Sequence, residues 1–211
     1  LTYAATLAYF TRNVSRMQEQ AARAVHLSRE QSFPLWESMS LMLCGWGTVI
    51  NGSGNLGITQ LQDGLERFDA TGGIVLRPYY LSMLAQAYAM TGEIETGLSY
   101  LAEAYELIQQ NGERLWEAEV HRLYGELLQQ QSVANAAEAE RWLHQALKIA
   151  RQQRAKSLEL RAATCLAKWW QSQGERQAAY DLLAPVYEGF TEGFDTADLQ
   201  DVATLLTALK P

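Results

Sequence analysis

Proline, histidine and cysteine are scarce in this 211-residue chain, with four, three and two residues respectively. Cys44 and Cys165 lie far apart and make no CxxC or Cys/His ligand spacing, so a zinc site or thioredoxin-type motif is excluded. Two lone cysteines read as small buried hydrophobes in a reducing compartment. His26, His121 and His144 have no HxxH or HExxH spacing, which removes the usual metal-ligand patterns. No P-loop, GxSxG or Ser/His/Asp order occurs.

The longest apolar run, Leu41 to Ile50, falls far short of the ~20 residues that span a bilayer. The opening residues lack the charged start and cleavage site of a signal peptide. A cytoplasmic chain without a membrane segment is expected. The net charge is −7, and no cluster of Lys and Arg offers a phosphate-binding surface. Nucleic acid is therefore not an expected partner.

What is abundant favours helix. Apolar residues make up 48% of the chain, and Ala, Leu, Gln and Glu dominate. From Arg77 to Glu106 the sequence reads as a helix, a turn at Gly92 and a second helix. Leu84, Ala85 and Tyr88 mark the first helix; Gly97, Leu101 and Ala104 mark the second.

The same arrangement recurs. Small residues mark the first helices at Gly45, Ala85, Gly125 and Ala167, at spacings of 40, 40 and 42. Gly57, Gly97, Ala139 and Ala179 open the second helices, followed four residues later by Leu61, Leu101, Leu143 and Leu183. Gly64, Ala104, Ala146 and Val186 come three residues further on, and Trp36, Leu76, Trp116 and Leu158 stand nine before each first marker. Two helices approach closely only where side chains are small, while the large residues fill the groove against the next pair. This is the pattern of a tetratricopeptide-type repeat, with a period longer than the usual 34. Longer helices or longer loops would supply the difference.

Stepping back 40 residues gives a further copy marked by Ala5, then Met17, Ala21 and Ala24, with a clipped first helix. The expected architecture is an all-α, right-handed α-solenoid forming one domain over 1–211, a fragment of a longer chain. Its units are about 1–31, 32–73, 74–112, 113–154 and 155–191, with a capping helix at 195–209. Asp195 or Thr196 would be the N-cap of that helix. The end at Lys210-Pro211 reads as a natural C-terminus.

Three strings, GERLWEAEVHRLYGELL (112–128), AEAERWLHQALKIARQQRAKSLELRAATCLA (137–167) and LLAPVYEGFTEGFDTADLQ (182–200), carry a resemblance. They resemble the C-terminal repeat region of bacterial multidomain signalling proteins, in which a nucleotide cyclase or protein kinase is followed by a predicted ATPase and then repeats. The resemblance covers roughly residues 77–209. It implies a regulatory role beside catalytic domains, and no catalytic residue of this chain.

Gly52-Ser53-Gly54-Asn55-Leu56-Gly57 fits G-x-G-x-x-G, a dinucleotide fingerprint that also requires a preceding strand. The repeat register makes residues 41–51 a helix and Gly57 a packing residue, so the string reads as a turn. Glu117 and Glu119 flank Ala118 and are expected to be solvated.

The remaining candidate is the groove lined by the first helices. The register turns Met39, Met42, Trp46, Tyr79, Gln86, Arg122, Glu126, Arg161 and Lys168 towards it. Its N-terminal end would be apolar and its C-terminal end charged. Such a groove would bind a protein or peptide, with upstream domains of the same polypeptide among the candidates. A small effector at the Met/Trp/Tyr end and a homodimerisation arm are the alternatives, and burial of this face in the core is the bland one. No cofactor, metal or catalytic activity is expected.

Overall fold

The computed structural model describes residues 1–210. Pro211, read above with Lys210 as a natural terminus, lies outside the described residues. Among the described residues there are eleven α-helices, one short 3-10 turn at Val133–Asn135, and no strand. The first five are α1 (Thr2–Phe10), α2 (Val14–Glu30), α3 (Pro34–Ile50), α4 (Gly54–Ala70) and α5 (Arg77–Met90). Then come α6 (Ile94–Asn111), α7 (Glu117–Gln131), α8 (Ala136–Gln153), α9 (Lys156–Ser172), α10 (Arg176–Glu188) and α11 (Ala197–Leu209). Odd-numbered helices up to α9 are the first helices of the repeats. From α2 to α9 they run 14 to 18 residues, so the long period is spent in the helices.

Two columns of left-handed backbone punctuate the chain. Within each repeat the turn uses Arg12 (φ 57°), Gly52 (90°), Gly92 (87°) and Gly174 (87°). Between repeats the corner uses Ser32 (φ 55°), Gly72 (75°), Gly112 (72°) and Arg154 (55°). Both columns keep the 40-residue spacing, stretched to 42 by the insertion at residues 131–136. There the within-repeat turn is replaced by the 3-10 segment, and Ser132 adopts extended backbone at φ −164°. Gly52 is such a turn residue, and the stretch before it is helix α3, so the glycine string carries no dinucleotide geometry.

The chain divides into two compact units, residues 1–107 and the residues from 108 onward. In the N-terminal unit the small markers allow close helix crossing. A Cβ on Gly45 would stand 2.9 Å from the Leu61 backbone N, and one on Gly57 would stand 2.6 Å from Val49 N. The first helices also touch one another, α1 on α3 and α3 on α5.

In the C-terminal unit Gly125 plays the same part, its missing Cβ making room for the Ala139 carbonyl. The core there joins Leu143, Ala146, Leu160, Ala163, Leu166, Ala179 and Leu183 to the inner face of α11. That face buries Leu199, Val202, Leu205, Leu206 and Leu209. At about 1.5–3 kcal/mol for each large apolar side chain removed from water, α11 is an integral lid. Thr196 is its N-cap by position, but the hydroxyl does not cap: it donates back to the Gly193 carbonyl at 2.7 Å.

Candidate functional site

In each unit the inner column of the first helices is a candidate site, and the two units fill it differently. In the N-terminal unit they hold aromatic rings. Tyr9 of α1 meets Trp46 of α3 edge-on at 5.6 Å between centroids, and Tyr79 of α5 at 5.5 Å. Phe10 approaches Tyr79 at 5.9 Å. Edge-to-face pairs of this kind place a positive ring edge on a negative face and contribute beyond area burial. Met39, Met42, Trp46 and Tyr79 are all buried. Gln86 is half-buried and donates from Nε2 to the Tyr9 hydroxyl at 3.3 Å. The short first helix α1 closes this stretch, and its Tyr9 was not singled out by the sequence pattern.

In the C-terminal unit the same columns hold charges. Arg122 of α7 donates through Nε and Nη2 to the two oxygens of Glu119, each at 2.9 Å. Its Nη1 donates to Glu126 at 2.7 Å and to the Cys165 sulfur at 3.3 Å. Arg161 of α9 lies 3.6 Å from Glu119 and donates through Nε to Asp198 of α11 at 2.8 Å. One network thus ties α7, α9 and the lid together. Lys168, one repeat on from Glu126, is exposed.

Glu117 and Glu119, expected to be solvated, are instead buried. The reason is pairing: Glu117 accepts from Arg114 at 2.8 Å, and Glu119 from Arg122. The spacing i, i+3, i+7 of Glu119, Arg122 and Glu126 on one helix face was the available signal. Asp198 had none, since it joins the network from 37 residues away.

The electrostatics follow from this geometry. Burial would push the Glu119 carboxyl up, but Arg122 and Arg161 outweigh it and hold it below the usual carboxylate range. Burial and the nearby Glu126 push the Cys165 thiol up to about 11, against the opposing pull of Arg122. It stays protonated and is a poor nucleophile. Burial lowers His121 to about 4, with Glu117 pulling the other way, so its imidazole is neutral at pH 7. That ring leans on Trp142, 4.8 Å away. Among the described residues no three His, Cys, Asp or Glu side chains gather as metal ligands. Nor is any helix among them long and apolar enough to cross a membrane.

No known family model matches the chain. An uncharacterized protein of Rhizobium meliloti is 27% identical over 118 residues, which is 56% of this chain. The match spans only 12% of that relative's length. Among solved structures, Bacillus thuringiensis PlcR, crystallised with the peptide PapR7 and DNA, superposes with a TM-score of 0.77. It covers 99% of this chain and 72% of PlcR at 12% identity. BtubC from P. vanneervenii gives 0.71 at 16% identity, covering 93% and 82% of the two chains. The TPR-like repeats of a Podosopora anserina kinesin light chain give 0.54 at 19% identity, covering 87% of this chain and 91% of that one. The fold is that of the tetratricopeptide-like α-solenoids. At these identities the likeness concerns the fold alone.

Proposed function

We propose that the chain is a non-catalytic protein-interaction module with a regulatory role in a larger bacterial signalling protein. It takes a protein segment, or another part of its own polypeptide, along α7 and α9, the first helices of the C-terminal unit. The charged row of the C-terminal unit carries this reading. Arg122, Glu119, Arg161 and Asp198 satisfy one another and hold three helices in fixed register. Glu126 and Lys168 occupy the same repeat position on α7 and α9. The Glu126 side chain is 39% exposed, and Lys168 reaches solvent without an internal partner. A carboxylate and an ammonium on rigid helices select a segment of complementary charge and fix its register. The bound peptide in PlcR is in keeping with this use of the fold. The small-effector alternative draws less support, because Met39, Met42, Trp46 and Tyr79 are already buried and the Trp46 and Tyr79 rings both meet Tyr9.

Panning a displayed random-peptide library on the purified chain tests the reading. Selected peptides should bind at micromolar Kd by calorimetry and lose at least about tenfold with Lys168→Glu or Glu126→Lys. An absence of binding peptides, or binding indifferent to both reversals, would sink it.

A further inference from the structure

We propose that the outer face of α1 is a docking site for one specific occupant: the second helix of a further helix pair in the same polypeptide, preceding Leu1. The argument is one of register and does not depend on the charged row.

In the N-terminal unit each later first helix turns one stripe towards the second helix of the repeat before it. On α3 that stripe includes Leu43 and Gly47, two residues before and two after the small marker Gly45. Gly47 lies directly under Gln18 of α2, where a Cβ would come 2.5 Å from the Gln18 side chain. On α5 the corresponding residues are Met83 and Ala87, flanked by Tyr80 and Tyr88. Tyr80 packs on Phe68 of α4 at 5.2 Å, and the Tyr88 hydroxyl accepts from Gln62 of α4 at 2.9 Å. Leu43, Gly47, Met83 and Ala87 are all buried.

On α1 the same two positions are Tyr3 and Leu7. They are 61% and 64% exposed, although they are larger than most of their counterparts. The exposed stripe continues into an open apolar cavity of about 250 Å³ beside Tyr3, walled by Leu27, Phe33 and Trp36. The Tyr3 ring stands edge-on to Trp36 there, at 5.4 Å. Large apolar side chains held one turn apart on an otherwise packed helix are an interface without its other half. A helical repeat cannot bury its own outer face; only a neighbouring repeat does so.

The register also specifies the occupant. A long residue, Gln18, lies over a glycine at the α2/α3 contact. At α1 the glycine's place is taken by Leu7, so the docking helix needs a small residue where Gln18 would stand. The scale of a relative is in keeping with such a source, because the match covers only 12% of the length of the Rhizobium meliloti protein. Chain of that length leaves room for further repeats.

The test compares cysteine labelling in the 211-residue chain and in the natural polypeptide that extends ahead of Leu1. Leu7→Cys and Tyr3→Cys are introduced singly, with Val133→Cys, 86% exposed, as the control. Maleimide should modify both α1 cysteines readily in the 211-residue chain. In the longer polypeptide their rate should fall at least about tenfold, with Val133→Cys unchanged. Equal rates in both would overturn the proposal, as would a natural polypeptide in which nothing precedes Leu1. Light scattering separates the competing occupant: protection in the 211-residue chain itself, with a mass that rises with concentration and returns to the monomer in Leu7→Glu, would assign the face to a second copy and overturn the proposal too.

Discussion

Arg122 holds both carboxylate oxygens of Glu119 within a single turn of α7, at 2.9 Å each, and both side chains are buried. Paired charges in such a site are not themselves a large source of stability, but a lone survivor is expensive. Glu119→Leu leaves the buried Arg122 with Glu126 as its one remaining carboxylate and takes one acceptor from Arg161. It should cost about 3–5 kcal/mol in urea unfolding. The double variant Glu119→Leu/Arg122→Met removes both charges and should recover much of that loss. If Glu119→Leu alone lies within about 0.5 kcal/mol of wild type, the network is ornamental.

His121 gives the chain a pH-dependent stability of known sign. Folded, its imidazole titrates at about 4; unfolded, it titrates near the ordinary 6.5. Between those values the unfolded chain binds more protons, so stability falls as the pH drops through 6.5 and this loss levels off near 4. Glu119 acts lower down. Its folded carboxyl is held below the usual value, so its contribution is complete above about 4.5 and disappears as the pH falls through the folded value. Melting temperatures between pH 7 and 5 should therefore decline in wild type and flatten in His121→Phe. An unchanged slope in the variant would remove His121 from the account.

Two glycines of α3 separate close packing of backbones from close packing against a movable side chain. At Gly45 an added Cβ meets the backbone of α4, with Leu61 N at 2.9 Å and the Gly57 carbonyl at 3.0 Å. Neither helix can yield locally, so Gly45→Ala should destabilise by about 1–3 kcal/mol. At Gly47 the near atoms all belong to the Gln18 side chain, which can swing aside. Helix propensity favours alanine there by about 0.8–1 kcal/mol, so Gly47→Ala should be neutral or mildly stabilising. Chemical denaturation of the two single variants checks the order, and equal losses would contradict it.

The recurrence of Gly45, Gly57, Gly125 and Ala139 made the helix pairs legible in the sequence, because close crossing admits only small residues. The register also aligned the first-helix residues in columns, but it did not give their surroundings. Trp46 and Tyr79 stand at groove positions by register. Both rings meet Tyr9, which the clipped first helix supplies. Glu119 was misjudged because its neighbours in sequence, Ala118 and Val120, say nothing of Arg161 or Asp198. The turns were only half visible. Glycine is the residue that signals left-handed backbone, and it stands at Gly52, Gly72, Gly92, Gly112 and Gly174, whereas Arg12 and Arg154 hold the same backbone without that signal.

Arg154 turns that last point into a measurement. It ends α8 at φ 55°, ψ 31°, in the column occupied by Gly72 and Gly112 two repeats and one repeat earlier. A side chain in this conformation costs roughly 1–2 kcal/mol through Cβ crowding, and glycine does not carry that cost. Glycine brings its own penalty, a more flexible unfolded chain, which offsets about 0.5–1 kcal/mol. Arg154 is exposed and has no ion pair that its loss would break. Arg154→Gly should therefore raise stability by about 0.5–1 kcal/mol, read as a higher urea midpoint at unchanged m-value. Arg154→Ala keeps the Cβ and should give no such gain. If alanine stabilises as much as glycine, the benefit comes from removing the charge, and the left-handed corner is not a source of strain.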